Sequence, residues 1–131
     1  MTQGVCVSGP QVLVVEDDRE VRESVQEVLE GAGYETVVAP DGRAALDLLK
    51  AVPVPTLILL DLMMPVMSGP EFMAIRAHDP RLIAIPVVLL TAVAEPSELL
   101  CESILRKPVD LEDLLAIVRR YAGSPARKGA L

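Results

Sequence analysis

Residues 56–61, Thr56-Leu57-Ile58-Leu59-Leu60-Asp61, decide the fold. Leu57 to Leu60 are uninterrupted aliphatics, closed in by Pro53 and Pro55 on one side and an acid on the other. The run is too short for a core helix and has no polar alternation. It therefore reads as a strand buried on both faces, as in the middle of a parallel sheet. Two further runs repeat the pattern: Val12-Leu13-Val14-Val15 ends in Glu16-Asp17-Asp18, and Pro86-Val87-Val88-Leu89-Leu90 ends in Thr91.

Helical segments lie between these runs. Val21, Val25, Val28, Leu29 and Ala32 recur at helical spacing after Asp18, a candidate N-cap, and Gly31 and Gly33 stop that helix. Glu35 to Val38 forms a second strand. Pro40-Asp41-Gly42 opens a helix with Ala45, Leu46, Leu48 and Leu49 on its apolar face. A loop, Met63-Met64-Pro65-Val66-Met67-Ser68-Gly69-Pro70, leads to a short helix through Phe72, Met73 and Ile75. Ser103-Ile104-Leu105-Arg106 is a fifth strand. Asp110 caps a last helix with Leu111, Leu114, Leu115, Val118 and Tyr121 on one face. Strand and helix in alternation imply an α/β, doubly wound parallel sheet covered on both faces. Residues 1–10 read as a flexible leader and 123–131 as a flexible tail.

Composition narrows the function. The chain has 131 residues, enough for one domain, and a formal net charge of -7. That charge argues against a nucleic-acid-binding face and against anionic membranes. Aromatics are confined to Tyr34, Phe72 and Tyr121, so the core is aliphatic and offers no platform for stacked bases. Cys6 and Cys101 read as free thiols of a reducing cytoplasm. No secretory signal and no apolar run of the ~20 residues that a bilayer requires is present.

In an open parallel sheet the ligand site lies at the carboxyl ends of the strands. Glu16 and Asp17, Asp61, Thr91 and Lys107 each follow one of these strands. Taken singly, an acid is a cap, a threonine is a strand-end hydroxyl and Lys-Pro is a turn. Their recurrence at successive strand ends points to one site. Three converging carboxylates repel, and a hard divalent cation relieves them; Mg²⁺ prefers such oxygens beside a phosphate. Asp61, on the most buried strand, is then placed to attack a phosphoryl group, with Lys107 and Thr91 binding its oxygens.

Val-Val-Glu-Asp-Asp at 14–18, Leu-Leu-Asp-Leu-Met-Met-Pro-Val-Met-Ser-Gly at 59–69, Leu-Leu-Thr-Ala at 89–92 and Lys107-Pro108 resemble the receiver domain of two-component response regulators. The resemblance covers residues 11–122. It implies a flavodoxin-like sheet of strand order 2-1-3-4-5, with Asp61 as phosphoacceptor from a sensor histidine kinase or phosphotransfer protein. It also implies Mg²⁺ on Glu16, Asp17, Asp61 and the backbone carbonyl of Met63. Thr91 would be the switch hydroxyl, and Lys107 the phosphate contact ahead of a cis Pro108. Ser68-Gly69 would turn into the third helix.

Two departures stand out. An aromatic residue usual in that family three positions before the lysine is Ile104 here, which cannot serve as the same rotor and reads as a packed strand residue. Only 15 residues separate Thr91 from Lys107, which implies a shortened or irregular fourth helix near residues 96–101 and an atypical output face. In that family the residues two positions after the acceptor and two after the threonine influence how water reaches the phosphoryl group; here they are the apolar Met63 and Val93, so the resemblance implies slow self-dephosphorylation. The leading reading is a cytoplasmic phosphoacceptor, stand-alone or part of a longer protein, rather than an enzyme. The alternatives are a pseudo-receiver that binds partners without phosphate, and an aspartyl hydrolase. The second lacks its usual acid at Met63.

Overall fold

A computed structural model describes residues 11–92 and 101–125. Five parallel strands form one sheet: β1 (Val12–Val15), β2 (Thr36–Ala39), β3 (Leu57–Asp61), β4 (Val87–Thr91) and β5 (Ser103–Arg106). Their order is β2-β1-β3-β4-β5, as the resemblance implied. The helices among the described residues are α1 (Arg19–Gly31), α2 (Gly42–Ala51), α3 (Gly69–Ala77) and α4 (Leu111–Ala122).

Strand side chains alternate between faces, so each strand feeds two cores. Leu13, Val15, Ile58, Leu60 and Leu89 pack with Ala45 and Leu49 of α2 and with Phe72 and Met73 of α3. Val12, Val14, Leu57, Leu59, Val88, Leu90 and Leu105 pack with Val25 and Leu29 of α1 and with Leu114 and Val118 of α4. β1, β3 and β4 are buried at every position, which explains their lack of polar alternation.

The helix starts follow local chemistry. The carboxylates of Asp18, Asp41 and Asp110 accept hydrogen bonds from the first free N–H groups of α1, α2 and α4. Ser68 and Glu71 form a reciprocal capping box at α3, with proline in its first turn. Gly33, at φ +100°, lets the chain reverse after α1. β2 lies one residue later than expected from the sequence. The Glu35 carbonyl instead accepts from Gln11 and Val12, and Ala39 pairs with Val15. The short helix expected near residues 96–101 falls outside the described residues except for Cys101, which is not helical and is half-buried against the α2/α3 core.

The sheet reverses its winding between β1 and β3, and the two strands are hydrogen-bonded neighbours. Their carboxyl ends therefore open at the topological switch point. The loop after β3 folds back tightly over this edge. The Gly69 N–H donates to the Leu62 carbonyl at 3.0 Å. A Cβ at Gly69 would stand 2.8 Å from the Asp61 carbonyl oxygen and 2.9 Å from Leu62 Cα, both backbone atoms with little room to yield. Gly69→Ala is expected to destabilise the fold by about 1–3 kcal/mol, read as a lower urea midpoint at unchanged slope.

Candidate functional site

Each acidic residue of the site is presented by a strand end. Glu16 extends β1 by one ladder bond, its N–H donating to the Ala39 carbonyl at 3.0 Å. Asp61 is the last residue of β3 and pairs with Leu90, so Thr91 lies one residue beyond it on the adjacent strand. Thr91 pairs with Arg106, and the Lys107 N–H donates to the Thr91 carbonyl at 2.9 Å. The register alone thus brings Glu16, Asp17, Asp61, Thr91 and Lys107 to one edge. The peptide between Lys107 and Pro108 is cis.

Carboxylate oxygens of Glu16, Asp17 and Asp61 lie within 4.8 Å of one another. Their surroundings differ. Glu16 is fully buried, Asp61 is 3% exposed and Asp17 faces solvent. Glu16 Oε1 lies 2.8 Å from Lys107 Nζ, and Glu16 Oε2 accepts from the Asp18 N–H at 3.1 Å. Asp61 Oδ1 lies 3.3 Å from Lys107 Nζ and accepts from the Met63 N–H, also at 3.3 Å. One ammonium thus serves two buried carboxylates.

That sharing is incomplete compensation. Burial, then the hydrogen bond with Asp17 and the charge of Glu16, push the Asp61 carboxyl up to about 7, against the pull of Lys107. Burial works to lower the Lys107 ammonium, but contact with Glu16 and Asp61 outweighs it and raises the group above its ordinary value. The site is an all-oxygen donor set with excess negative charge, held close before any ion arrives. It suits a small hard cation and could hold one.

The loop after β3 is strained. The Met67 N–H donates to the Pro65 carbonyl at 2.7 Å, with Val66 between them at φ +66°. This is a γ-turn on a β-branched residue, a conformation such side chains rarely adopt. It lets Met67 pack against Gly42 at the start of α2. The Pro and Ser-Gly of this loop signal a turn, yet nothing in the residue types marks Val66 as its centre.

Ile104 is not the packed strand residue expected from the sequence. It is 37% exposed, and its neighbour Leu105 takes the core-facing position. Leu105 joins Leu114 and Val118 of α4 in one core, whereas Ile104 belongs to neither core of the described residues. Val93 lies outside the described residues. Sequence reasoning missed Arg22, whose guanidinium Nη1 donates to the Glu16 carbonyl at 3.0 Å. Its position one turn beyond the cap Asp18 was the available signal.

Comparison with known proteins agrees with this geometry. The pattern of the response regulator receiver domain matches residues 12–119, and the chain belongs to that family. It is 40% identical over 116 residues to the response regulator MprA of Mycolicibacterium vanbaalenii, covering 83% of this chain and 48% of that one. It is 36% identical over 130 residues to the sensor histidine kinase TmoS of Ectopseudomonas mendocina, covering 91% of this chain but 13% of that one. The chain therefore spans about half or less of these relatives. Among solved structures, the receiver domain of a signal transduction histidine kinase from Syntrophus aciditrophicus superposes with a TM-score of 0.79 at 30% identity, covering 93% of this chain and 96% of that one. The chemotaxis protein CheY4 of Vibrio cholerae gives 0.79 at 31% identity, covering 87% and 99%.

The raised Asp61 carboxyl has a consequence for stability. The folded state binds this proton more tightly than the unfolded chain, whose aspartates titrate near ~3.9. The contribution of Asp61 is thus fully present below about pH 4 and is lost as pH rises through about 7. Asp61→Asn removes the charge. In chelator it is expected to stabilise the protein at pH 8 by on the order of 2 kcal/mol, with the gain vanishing toward pH 4. Urea midpoints across that range check it.

Proposed function

We propose that the chain accepts a phosphoryl group on Asp61 from a phosphohistidine of a sensor histidine kinase or phosphotransfer protein, and that the phosphorylated state changes which partners bind. The observation that carries this reading is the convergence of Glu16, Asp17, Asp61 and Lys107 at one strand edge, with an ammonium 3.3 Å from the acceptor carboxylate. Receiver domains are regulatory rather than enzymes in the ordinary sense, and the rest of the assignment follows from what these residues can do.

An Asp61 carboxylate oxygen forms the new O–P bond as the P–N bond to the donor histidine breaks. The imidazole nitrogen leaves with the electron pair, and an acyl phosphate remains. Lys107, already drawn to the site by Glu16, offers its charge to the phosphoryl oxygens. Thr91, buried at the end of the adjacent strand, is the residue proposed to supply a hydroxyl to the new group. Glu16, Asp17, Asp61 and the Met63 carbonyl would hold Mg²⁺. When bound, the ion neutralises charge shared by the carboxylates and the transferring group.

Output is proposed to use a face other than the one formed by the segment between β4 and β5. Ile104 supplies no ring there, and 15 residues must span the distance from Thr91 to Lys107. No described helix is long and apolar enough to cross a membrane, and the chain is proposed to act in the cytoplasm.

Incubation with Mg²⁺ and phosphoramidate is expected to add one phosphoryl mass, stable in acid and labile in base, and absent in Asp61→Asn. No mass gain in the native chain would overturn the reading in favour of a phosphate-independent interaction module. Continuous turnover of free phosphate esters would favour a hydrolase. With Met63 bordering the site, the phosphorylated form is expected to persist for minutes or longer, and Met63→Asn to shorten its life severalfold. Decay within seconds contradicts the lifetime assignment alone.

A further inference from the structure

Glu16 and Asp17 are adjacent in sequence, but the chain holds them by different means. The Glu16 side chain is fixed twice, by Lys107 and by the Asp18 N–H. Asp17 is exposed and its carboxylate meets Asp61 from the solvent side. Its direction depends on the backbone that carries it.

That backbone unit is the peptide joining Glu16 to Asp17. A peptide is planar, so the direction of its carbonyl fixes the direction of its N–H and constrains the Cα that follows. The Glu16 carbonyl accepts from Arg22 Nη1 at 3.0 Å. Arg22 reaches it because side chains on a helix lean toward the N-terminus, and Arg22 lies in the first turns of α1. The base of this arm is also anchored, since the Arg22 N–H donates to the Asp18 carbonyl at 2.8 Å. The guanidinium is half-buried, and charge-assisted bonds of this kind are strong and directional.

We infer that Arg22 is a positioning residue: by holding the Glu16–Asp17 peptide plane, it aims the Asp17 carboxylate at the cation that Asp61 shares. It does not touch the reacting atoms. The inference rests on the proposed Mg²⁺ site and assigns it a support outside the acidic cluster. Two effects oppose each other at this position. A cation near the site repels Mg²⁺, whereas a fixed ligand direction favours it. The hydrogen bond goes to the peptide and not to a carboxylate, which argues that orientation dominates.

The test is calorimetric titration of the native chain, Arg22→Gln, Arg22→Lys and Asp17→Asn with Mg²⁺ alone, together with melting in chelator and in Mg²⁺. The native chain is expected to bind and Asp17→Asn to lose binding. Arg22→Gln should weaken affinity about tenfold, the low end of what losing a ligand-orienting partner costs. Arg22→Lys, which keeps a charged donor, should fall between. Melting of Arg22→Gln in chelator should stay cooperative, with a smaller upward shift on adding Mg²⁺. Unchanged or tighter Mg²⁺ binding in Arg22→Gln would overturn the positioning role while leaving the site intact. If Arg22→Gln fails to fold, native affinity in Arg22→Lys overturns the role, and weakened affinity supports it. Absence of binding by the native chain overturns the Mg²⁺ site itself and the inference with it.

Discussion

Three carboxylates held within 4.8 Å of one another are the constraint on which this structure turns. The parallel sheet creates it. Adjacent strands running in one direction deliver their carboxyl ends to one edge, and the reversal between β1 and β3 leaves that edge open. Burial of Glu16 and Asp61 then removes most of the water that would screen the repulsion. The fold meets the cost with a single ammonium shared by both, and burial and the neighbouring carboxylates still hold the Asp61 carboxyl above the usual aspartate range. A site built this way favours a further cation.

The surroundings of the site work to hold this unfavourable arrangement in place. Glu16 is tied through both carboxylate oxygens, and its carbonyl is tied through Arg22. Gly69 lets the loop after β3 lie directly on the Asp61 backbone. The γ-turn at Val66 closes that loop and sends Met67 against α2. Strain concentrated beside the acidic cluster is sustained because two aliphatic cores, one on each face, fix the strands beneath it.

Much of this was legible in the sequence because it rests on short-range rules. Unbroken aliphatic runs mark buried parallel strands, and Asp18 and Asp110 mark helix starts. The five polar residues at strand ends were legible for the same reason, since strand direction and register leave them one place to go. What residue types could not supply was orientation. Nothing distinguishes Glu16 from Asp17 in sequence, yet one is fully buried against Lys107 and the other faces solvent. Ile104 looked like a core residue because it is aliphatic and sits beside Leu105, but neighbouring strand residues face opposite sides, and Leu105 is the one that meets the core under α4. Val66 is an improbable centre for a left-handed turn on its own propensity, and the contact of Met67 with Gly42 beyond it is a tertiary one that residue types do not reveal.

The central claim is that burial and the neighbouring carboxylates raise the Asp61 carboxyl, and that a cation relieves this. A carboxyl-carbon NMR titration of Asp61, with and without Mg²⁺, tests it most directly. A midpoint near 7 in chelator, moving well down when Mg²⁺ is added, is expected. An Asp61 midpoint near ~4, the ordinary aspartate range, unaffected by Mg²⁺, would contradict it.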